Sequence, residues 1–442
     1  MPPDSGSPLP QQSQRPWRWA LLWGALLGVL FFGSYTAANH FTAQRSDVSV
    51  YVFAWERHIP FLAWTILPYW SIDFLYAAAL FAARSKAELF RLAYRLLAAQ
   101  IICITGFLLW PLRFSFTRPA TDGWTGAMFD ALTGFDLPFN QAPSLHICLL
   151  VVLWRFYADL TGQKPIRWLL HTWFALIGIS VLTTWQHHFI DLVTGLSAGA
   201  LCLLLVPEAN ASWRWRGHEA GGKRLRLGLI YLAGATLVAS LGAALFPAAS
   251  AWPFYWLAAS LAGVGAIYLG GEATHFGKQG TRMPWRSWMF FGPHLAAARL
   301  NVWLWTRKLP IGVEVHDGVF LGRQPDAATQ AQHDIHHVVD LCAELSLPAS
   351  PRAASSLPVM DLIPLSPAQL TSAAQAIEEA RQQGLGVWVC CALGFSRSAA
   401  CVAAWLVQHR GFTPEEALAA IRRVRPQVVL KTEQFHDLTR LA

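Results

Sequence analysis

Long apolar runs separated by short polar segments make up most of the first 271 residues. An α-helix needs about 20 predominantly apolar residues to cross a bilayer, and several of the runs are close to that length. They predict eight transmembrane helices, at residues 19–39, 59–83, 96–112, 143–154, 168–186, 189–206, 227–246 and 251–271. Residues 1–16 are rich in Pro, Ser and Gln and are predicted to form a disordered tail.

A different pattern begins near residue 311, where short β-branched runs alternate with helical patterns. Such alternation is typical of an α/β domain. It predicts strands at 313–316, 319–321, 337–341, 358–363 and 385–390, and helices from Asp326 and at 366–383, 398–407, 414–425 and 432–441. The fold class we expect is an all-α multi-pass membrane bundle of about eight helices, followed by an α/β domain at residues 311–442.

The segment between these two patterns, residues 273–310, mixes Lys and Arg with Trp and Phe. This mixture is typical of segments that lie on a membrane surface. We therefore interpret it as a basic aromatic juxtamembrane linker. Residues 211–272, which carry the last two predicted helices, match no motif.

Composition supports a membrane protein, since 54% of the residues are hydrophobic and only 14% are charged. Lys and Arg collect on alternate loops, and short basic loops stay in the cytoplasm. We therefore expect a multi-pass protein of the inner (cell) membrane with both termini in the cytoplasm. These loops account for the net charge of +8, so nucleic acid is not an expected partner. The seven cysteines show no paired spacing for zinc or for a disulfide framework.

The strongest chemical signal follows the strand predicted at 385–390 and reads Cys391-Ala-Leu-Gly394-Phe-Ser396-Arg397-Ser398. A strand, a turn containing Gly and a helix N-terminus together point backbone N–H groups at one spot, which suits an anion. We expect the Cys391 thiolate to be the nucleophile and Arg397 to bind phosphate oxygens. Gly394, Ser396 and Ser398 complete the predicted phosphate-binding loop, and Ser398 can help the thiolate to leave.

The Cys-x5-Arg spacing resembles the signature of the protein tyrosine and dual-specificity phosphatases, with matches at Cys391, Gly394, Arg397 and Ser398. Cys390 stands where that signature has His. The resemblance implies a dual-specificity phosphatase domain that hydrolyses phosphoric monoesters through a cysteinyl-phosphate, without a cofactor or a metal. It also implies an Asp general acid on a loop upstream of the nucleophile. Asp361 fits that place, and Asp340, which lies within a strand pattern, is the alternative.

A second group of polar residues lies in loops that the charge pattern places on the outer side of the membrane. It contains Arg113 and Arg118, then His146, then His187 and Asp191, which are four positions apart. His187 could attack phosphorus while Asp191 holds its tautomer and His146 protonates the leaving oxygen. The two Arg side chains would bind the phosphate oxygens.

This second group resembles the three motifs of the type 2 phosphatidic acid phosphatase (PAP2) superfamily, and it places a PAP2-like domain at residues 17–210. Arg118-Pro119 is kept, Leu145 replaces the Gly of Pro-Ser-Gly-His, and Val181 replaces the Arg of the third motif. The resemblance implies either a lipid phosphate phosphatase or a head-group transferase. The chain as a whole resembles bacterial fusions of a PAP2-like membrane domain with a dual-specificity phosphatase domain.

Two functional hypotheses follow from these resemblances. In the first, the cytoplasmic domain hydrolyses a lipid phosphate, and a PAP2-like site acts on lipids at the outer face. In the second, the protein is a membrane-anchored Tyr, Ser or Thr phosphatase whose PAP2-like part is a non-catalytic anchor. The linker favours a lipid substrate, so membrane lipids and either a lipid phosphate or a phosphoprotein are the expected partners.

Overall fold

The computed structural model of the chain describes residues 15–134, 136–208, 213–246, 251–430 and 432–441. Most of the tail predicted at residues 1–16 therefore lies outside the described residues. Contacts divide the chain into two compact units, Met1–Glu208 and Ala209–Ala442.

The first unit is helical, as the apolar runs predict. Its helices are α1 (Trp17–Ala43), α2 (Ile66–Ala82), α3 (Lys86–Leu109), α4 (Gly123–Thr133), α5 (Leu145–Leu160), α6 (Lys164–Thr183) and α7 (Phe189–Leu205). Helix α4 lies in a loop where no helix is predicted. Apolar side chains of α1 to α3 and α5 to α7 share one core, in which Phe107, Phe174 and Ile177 are fully buried.

Six of the described helices are long and apolar enough to cross a membrane, compared with the eight that the apolar runs predict. Four belong to the first unit, and the other two are α8 (Lys223–Leu245) and α9 (Trp252–Gly270) of the second. Helices α5 and α7 are shorter, with 16 and 17 residues. Arg155 and Asp159 form an ion pair in the last turns of α5, which limits its apolar length.

The segment interpreted as a linker contains a 22-residue helix, α10 (Trp285–Thr306). This helix packs on α9, where Trp256 donates a hydrogen bond from Nε1 to the Met289 carbonyl at 2.8 Å. It buries Phe290 and Phe291 and exposes Trp303 and Trp305. The expected mixture of basic and aromatic residues is thus arranged on a helix that has one packed face.

The α/β domain follows in the same unit and is built on a five-stranded sheet of order β1-β2-β5-β3-β4. The strands are β1 (Gly312–His316), β2 (Val319–Arg323), β3 (Ile335–Cys342), β4 (Ala353–Val359) and β5 (Gly386–Cys391). Only β1 is antiparallel to its neighbour, so β2, β5, β3 and β4 end at the same edge of the sheet. The helices are α11 (Ala327–Gln332), α12 (Pro367–Gln382), α13 (Arg397–Arg410), α14 (Pro414–Val424) and α15 (Thr432–Leu441).

The predicted starts of two helices are confirmed by their capping hydrogen bonds. Ser366 Oγ accepts from the Gln369 N–H at 3.3 Å before α12, and Thr413 Oγ1 accepts from the Glu416 N–H at 3.2 Å before α14. In both cases the third residue of the helix returns a bond to the backbone of the cap, which completes a capping box.

The position predicted for the fourth strand, 358–363, is wrong. The strand runs instead over Ala353–Val359 and pairs in parallel with β3. It is an edge strand whose first residues are small or polar, so hydropathy does not reveal it. Asp361 and Leu362 lie in a turn, and Leu362 has a positive φ of 60° that no strand residue adopts.

Candidate functional site

Strand β5 delivers Cys391 to the carboxyl edge of the sheet. Because side chains alternate along a strand, Val389 and Cys391 face the core under α12 and α13, while Trp388 and Cys390 face the opposite side. Burial raises the pKa of the Cys390 thiol well above its ordinary value, which disfavours a thiolate there. Cys391 is therefore the better placed of the two sulfur atoms.

The loop after Cys391 surrounds its sulfur with hydrogen-bond donors. The Gly394 N–H donates to Cys391 Sγ at 3.3 Å, and Ser398 Oγ lies 3.3 Å from the same sulfur. Helix α13 begins at Arg397, so its N-terminus faces the loop. These features stabilise negative charge on a sulfur atom or on a phosphate bound beside it.

Gly394 allows this loop to turn. It has a φ of 75°, and a Cβ at this position would lie 2.3 Å from the backbone carbon of Gly322. Backbone atoms of a packed strand cannot move away, so both the conformation and the close approach require Gly. The loop thus lies directly against β2.

Buried Arg425 holds the outer part of the loop. Its Nε donates to the Gly394 carbonyl at 3.0 Å, and its Nη2 donates to the Leu393 carbonyl at 3.3 Å. Ser396 Oγ lies 3.5 Å from Gln434 Oε1 on α15. The Leu393 and Gly394 carbonyl groups are thus bound by Arg425, while the Gly394 N–H faces the sulfur atom.

Arg397 is held by Glu344, a residue that the sequence analysis missed. Its Nη1 and Nη2 donate to the two carboxylate oxygens of Glu344 at 3.0 and 2.6 Å, and Nη1 also donates to the Val359 carbonyl at 2.7 Å. Burial alone raises the pKa of Glu344, but the charge and hydrogen bonds of Arg397 outweigh it and lower that pKa. A carboxylate that stays ionised fixes the guanidinium in a bidentate geometry.

The two candidate general acids lie in different surroundings. Asp361 Oδ1 is 3.1 Å from Arg397 Nη2, and the Asp361 side chain is 54% exposed. Asp340 is fully buried in β3 and forms an ion pair with Lys278 at 2.6 Å, so it has a structural partner. This placement favours Asp361 over Asp340 for proton transfer to a substrate.

The second group of candidate residues lies in the first unit, around the starts of α5 and α7. His187 precedes α7, and its Nδ1 lies 3.4 Å from Asp191 Oδ2, while its Nε2 lies 3.1 Å from Ser144 Oγ. The two residues therefore meet, although His187 precedes the helix that carries Asp191. The His146 ring stacks on Tyr69 with centroids 4.2 Å apart, and its Nε2 is buried without a partner in the described part of the chain.

The two candidate Arg residues are separated by the structure. Arg118 and His187 line one cavity of about 340 Å³, and Arg118 Nη1 is buried without a hydrogen-bond partner among the described residues. Arg113 is exposed and does not line this cavity. Glu56 is a further residue that the sequence does not indicate. Its Oε2 lies 3.0 Å from Nδ1 of the buried His188 ring and accepts a hydrogen bond from the Phe189 N–H at 2.9 Å.

Residues 319–441 match the sequence model of the dual specificity phosphatase catalytic domain. The C-terminal part of the chain is thus a dual specificity phosphatase domain on an α/β sheet, and this supports a phosphoric monoester hydrolase. The matched residues lie within the second unit and do not include helices α8, α9 and α10, which precede them.

Particular relatives fall within this class. Phosphatidylglycerophosphatase and protein-tyrosine phosphatase 1 of Rattus norvegicus and of Mus musculus are each 42% identical to this chain over 60 residues. That stretch covers 13% of this chain and 31% of each relative, so the chain spans about a third of their length.

Solved structures similar to the domain include PTPMT1 in complex with PI(5)P, at 21% identity and a TM-score of 0.26, covering 30% of this chain and 94% of that one. The active form of Tk-PTP is 30% identical, with a TM-score of 0.28. The alignment covers 30% of this chain and 96% of the Tk-PTP chain.

Replacing Gly394 by Ala should abolish the function of the loop, because a Cβ there collides with the backbone of β2. We expect phosphatase activity to fall at least about 100-fold, as misplacement of a catalytic loop does. Gly411→Ala is the matched control, since Gly411 has a φ of 72° but open space around its Cβ position. The control should cost about 1–2 kcal/mol of stability and leave activity intact. Equal activity in the two variants would contradict this account of the loop.

Glu344→Gln should weaken phosphate binding and lower kcat/KM about 10- to 100-fold, because a charge-assisted bidentate contact to Arg397 is lost. The matched control is Glu378→Gln, which removes a carboxylate bound 2.9 Å from Arg410 Nη1 elsewhere in the domain. Both variants should lower thermal stability, but only the first should raise the inhibition constant of vanadate. A Glu344→Gln enzyme with unchanged kinetics would show that Glu344 does not position Arg397.

Proposed function

We propose that the dual specificity phosphatase domain hydrolyses phosphomonoesters at Cys391 and that its substrate is a lipid phosphate. The observation that carries the proposal is the contact of Cys391 Sγ with the Gly394 N–H at 3.3 Å, beneath the N-terminus of a helix that begins with Arg397. A nucleophile, inward N–H groups and a guanidinium are thereby assembled around one phosphate-sized position.

In the first step the Cys391 thiolate attacks phosphorus, a sulfur–phosphorus bond forms, and the bond from phosphorus to the ester oxygen breaks. Arg397 and the N–H groups of the loop bind the non-bridging oxygens. These oxygens compete with Asp361 for Arg397, so a bound phosphate frees the carboxyl group of Asp361. Asp361 then donates a proton to the leaving oxygen, which departs as a neutral alcohol.

In the second step water attacks the phosphorus of the cysteinyl-phosphate, and Asp361 accepts a proton from it. The sulfur–phosphorus bond breaks, and inorganic phosphate and the Cys391 thiolate are formed. Ser398, whose Oγ lies 3.3 Å from the sulfur, donates a hydrogen bond to the departing thiolate. No cofactor or metal takes part in either step.

The helices that precede the domain support a lipid substrate over a phosphoprotein. The domain follows α8 and α9, which are long and apolar enough to cross a membrane, and α10, which exposes Trp303 and Trp305. The curated relatives carry names that include both phosphatidylglycerophosphatase and protein-tyrosine phosphatase, so the names leave both substrates open. The alternative is a membrane-anchored protein Tyr, Ser or Thr phosphatase.

We propose a second activity for the PAP2-like residues, either hydrolysis of a lipid phosphate or transfer of its head group. It is favoured by the cavity that Arg118 and His187 share, with Arg118 Nη1 left without a partner in the described residues. With its proton on Nδ1, facing Asp191, His187 carries a lone pair on Nε2, which lies 3.1 Å from Ser144 Oγ and has to leave that hydroxyl group to attack phosphorus. His146, buried against Tyr69, is the proposed acid for the leaving group.

For the cellular location, we infer a multi-pass inner-membrane protein with both termini in the cytoplasm. It rests on the alternation of Lys and Arg between loops, with the shorter helices α5 and α7 crossing the membrane together with the six candidate spans. In this orientation the Cys391 thiol lies in a reducing compartment, which keeps it free of disulfides. A tag after residue 442 that is labelled from outside intact cells would contradict the orientation.

Cys391→Ser should abolish phosphatase activity toward p-nitrophenyl phosphate, while Cys390→Ser should keep most of it. Only Cys391 has the contacts with Gly394 and Ser398, and Cys390 lies on the opposite face of the sheet. The rates of the two variants, purified in detergent in parallel, test this. An equal loss in both would refute the assignment of the nucleophile.

Asp361→Asn should lower kcat most strongly for substrates whose leaving groups are poor, if Asp361 protonates the leaving oxygen. A series of aryl and alkyl phosphates measures this as a steeper dependence of rate on leaving-group pKa. Asp340→Asn is the matched control, and it should lower stability without steepening that dependence. A steeper dependence in the control alone would transfer the role to Asp340.

His187→Ala and Asp191→Asn should each remove a lipid activity that survives Cys391→Ser, with a loss of at least about 100-fold. The assay uses vesicles that contain a phosphorylated lipid or a head-group donor. His171→Ala is the control, since His171 accepts a hydrogen bond from Trp154 and lies outside the cavity. Absence of any such activity in the Cys391→Ser protein would mean that the PAP2-like residues have only a structural role, and it would favour the anchor interpretation.

A further inference from the structure

A cavity of about 320 Å³ opens between the phosphate loop and the helices that precede the domain. Its floor is formed by Ala392 and Leu393 of the loop, together with Glu344 and Asp361. Its walls come from α8, α9 and α10, and from Phe276 in the segment between α9 and α10. The volume lies within the range of about 300–1,000 Å³ that is typical of small-molecule sites. These three helices have no role in the chemistry described above.

The walls of this cavity are mainly apolar. Leu261, Phe276, Ala297 and Val302 supply carbon surface, while the polar side chains on the walls are uncharged or weakly basic groups: Tyr231, Tyr268, His294 and Asn301. Neither Lys nor Arg is among the lining residues, and two carboxylates lie at the floor. Such a site suits a part of a ligand that is apolar and accepts a few hydrogen bonds. It disfavours a second phosphomonoester group.

The helices are fixed to the catalytic residues by direct contacts. Ala298 and Val302 of α10 pack against the cluster that contains Ala392 of the loop. Tyr268, near the end of α9, donates a hydrogen bond from Oη to the Asp361 carbonyl at 2.9 Å. The wall of the cavity is therefore in direct contact with the loop that carries the proposed acid.

The same helices are suited to lipid. Helices α8 and α9 meet the length and hydropathy of membrane spans, and α10 exposes Leu300, Trp303 and Trp305. Arg307 lies over the Trp303 ring at 5.1 Å, a combination that suits the interface between lipid head groups and acyl chains. An acyl chain can therefore leave this cavity along apolar helix surface.

We propose that this cavity binds the part of a lipid substrate next to its phosphate, the glycerol backbone and the first carbons of its acyl chains. The proposal rests on the lipid phosphatase function proposed above and adds the substrate class, a membrane lipid that carries a single phosphomonoester. The last two membrane helices and α10 thus select lipids in a bilayer over soluble phosphomonoesters.

The test fills the cavity without touching the catalytic residues. Ala297→Phe places a ring in it, and Ala296→Phe, at the neighbouring exposed position outside the cavity, is the matched control. Both are made in full-length His187→Ala protein, so that only the cysteine centre is measured. The substrates are p-nitrophenyl phosphate, a phosphotyrosine peptide, and vesicles that contain phosphatidic acid, phosphatidylglycerophosphate or a phosphatidylinositol bisphosphate.

We expect Ala297→Phe to lower kcat/KM for the best lipid about tenfold or more, by the steric cost of overfilling a site, and to leave p-nitrophenyl phosphate within about twofold. Ala296→Phe should change neither, and the bisphosphate should be the poorest lipid. Equal effects of the two variants, or equal loss on both kinds of substrate, would overturn the assignment of this cavity. A wild type that prefers the peptide to every lipid would instead overturn the lipid substrate proposed above. Hydrolysis of p-nitrophenyl phosphate that survives Cys391→Ser would overturn Cys391 as the nucleophile.

Discussion

The pairing of Arg397 with Glu344 is the interaction on which the catalytic end of the domain depends. An unpaired guanidinium at this depth would be strongly destabilising, because breaking a buried ion pair costs about 3–5 kcal/mol. Its partner stands after β3, and Arg397 stands after β5, so the pair exists only because these strands are neighbours in the sheet. The order of the strands therefore determines where the Arg397 guanidinium lies.

The rest of the loop is arranged around backbone groups. Gly394 allows the chain to turn against β2. Arg425 donates hydrogen bonds to the carbonyl groups that this turn exposes. Because Arg425 binds those carbonyl groups, they do not compete with the thiol for the Gly394 N–H. A loop of mostly small and apolar residues can thus bind an anion without a cluster of Lys side chains.

What could be predicted from the sequence is what is local in the chain. The strand, the turn at Gly394 and the helix from Arg397 are contiguous, and spacing to Arg397 distinguishes Cys391 from Cys390. Glu344 could not be identified in this way, because its importance depends on the order of β3 and β5. Knowing that parallel strands end at one edge would have made a carboxylate after β3 a reasonable candidate.

The remaining differences have the same origin. Strand β4 is a polar edge strand that is recognised only by its pairing with β3. Helix α10 was not predicted because its mixture of basic and aromatic residues lacks the apolar pattern of a membrane span. The contact between His188 Nδ1 and Glu56 Oε2, at 3.0 Å, joins residues 132 positions apart, and no spacing in the sequence indicates it. In each case the decisive neighbour lies far away in sequence.

The two proposed centres differ in the kind of donor that they offer to a phosphate, and this bears on how each tolerates substitution. The proposed cysteine centre combines backbone N–H groups of the loop with the Arg397 guanidinium, and the backbone groups persist through most substitutions as long as the loop keeps its conformation. The outer centre relies on side chains, so each substitution removes a donor outright: Val181 stands where the related motif has Arg, and Arg113 is turned to solvent. Arg118 is then the one Arg of the candidate set that lines the outer cavity. A site reduced to one guanidinium binds a free phosphate weakly, so it can act only on a substrate that the membrane already concentrates and orients.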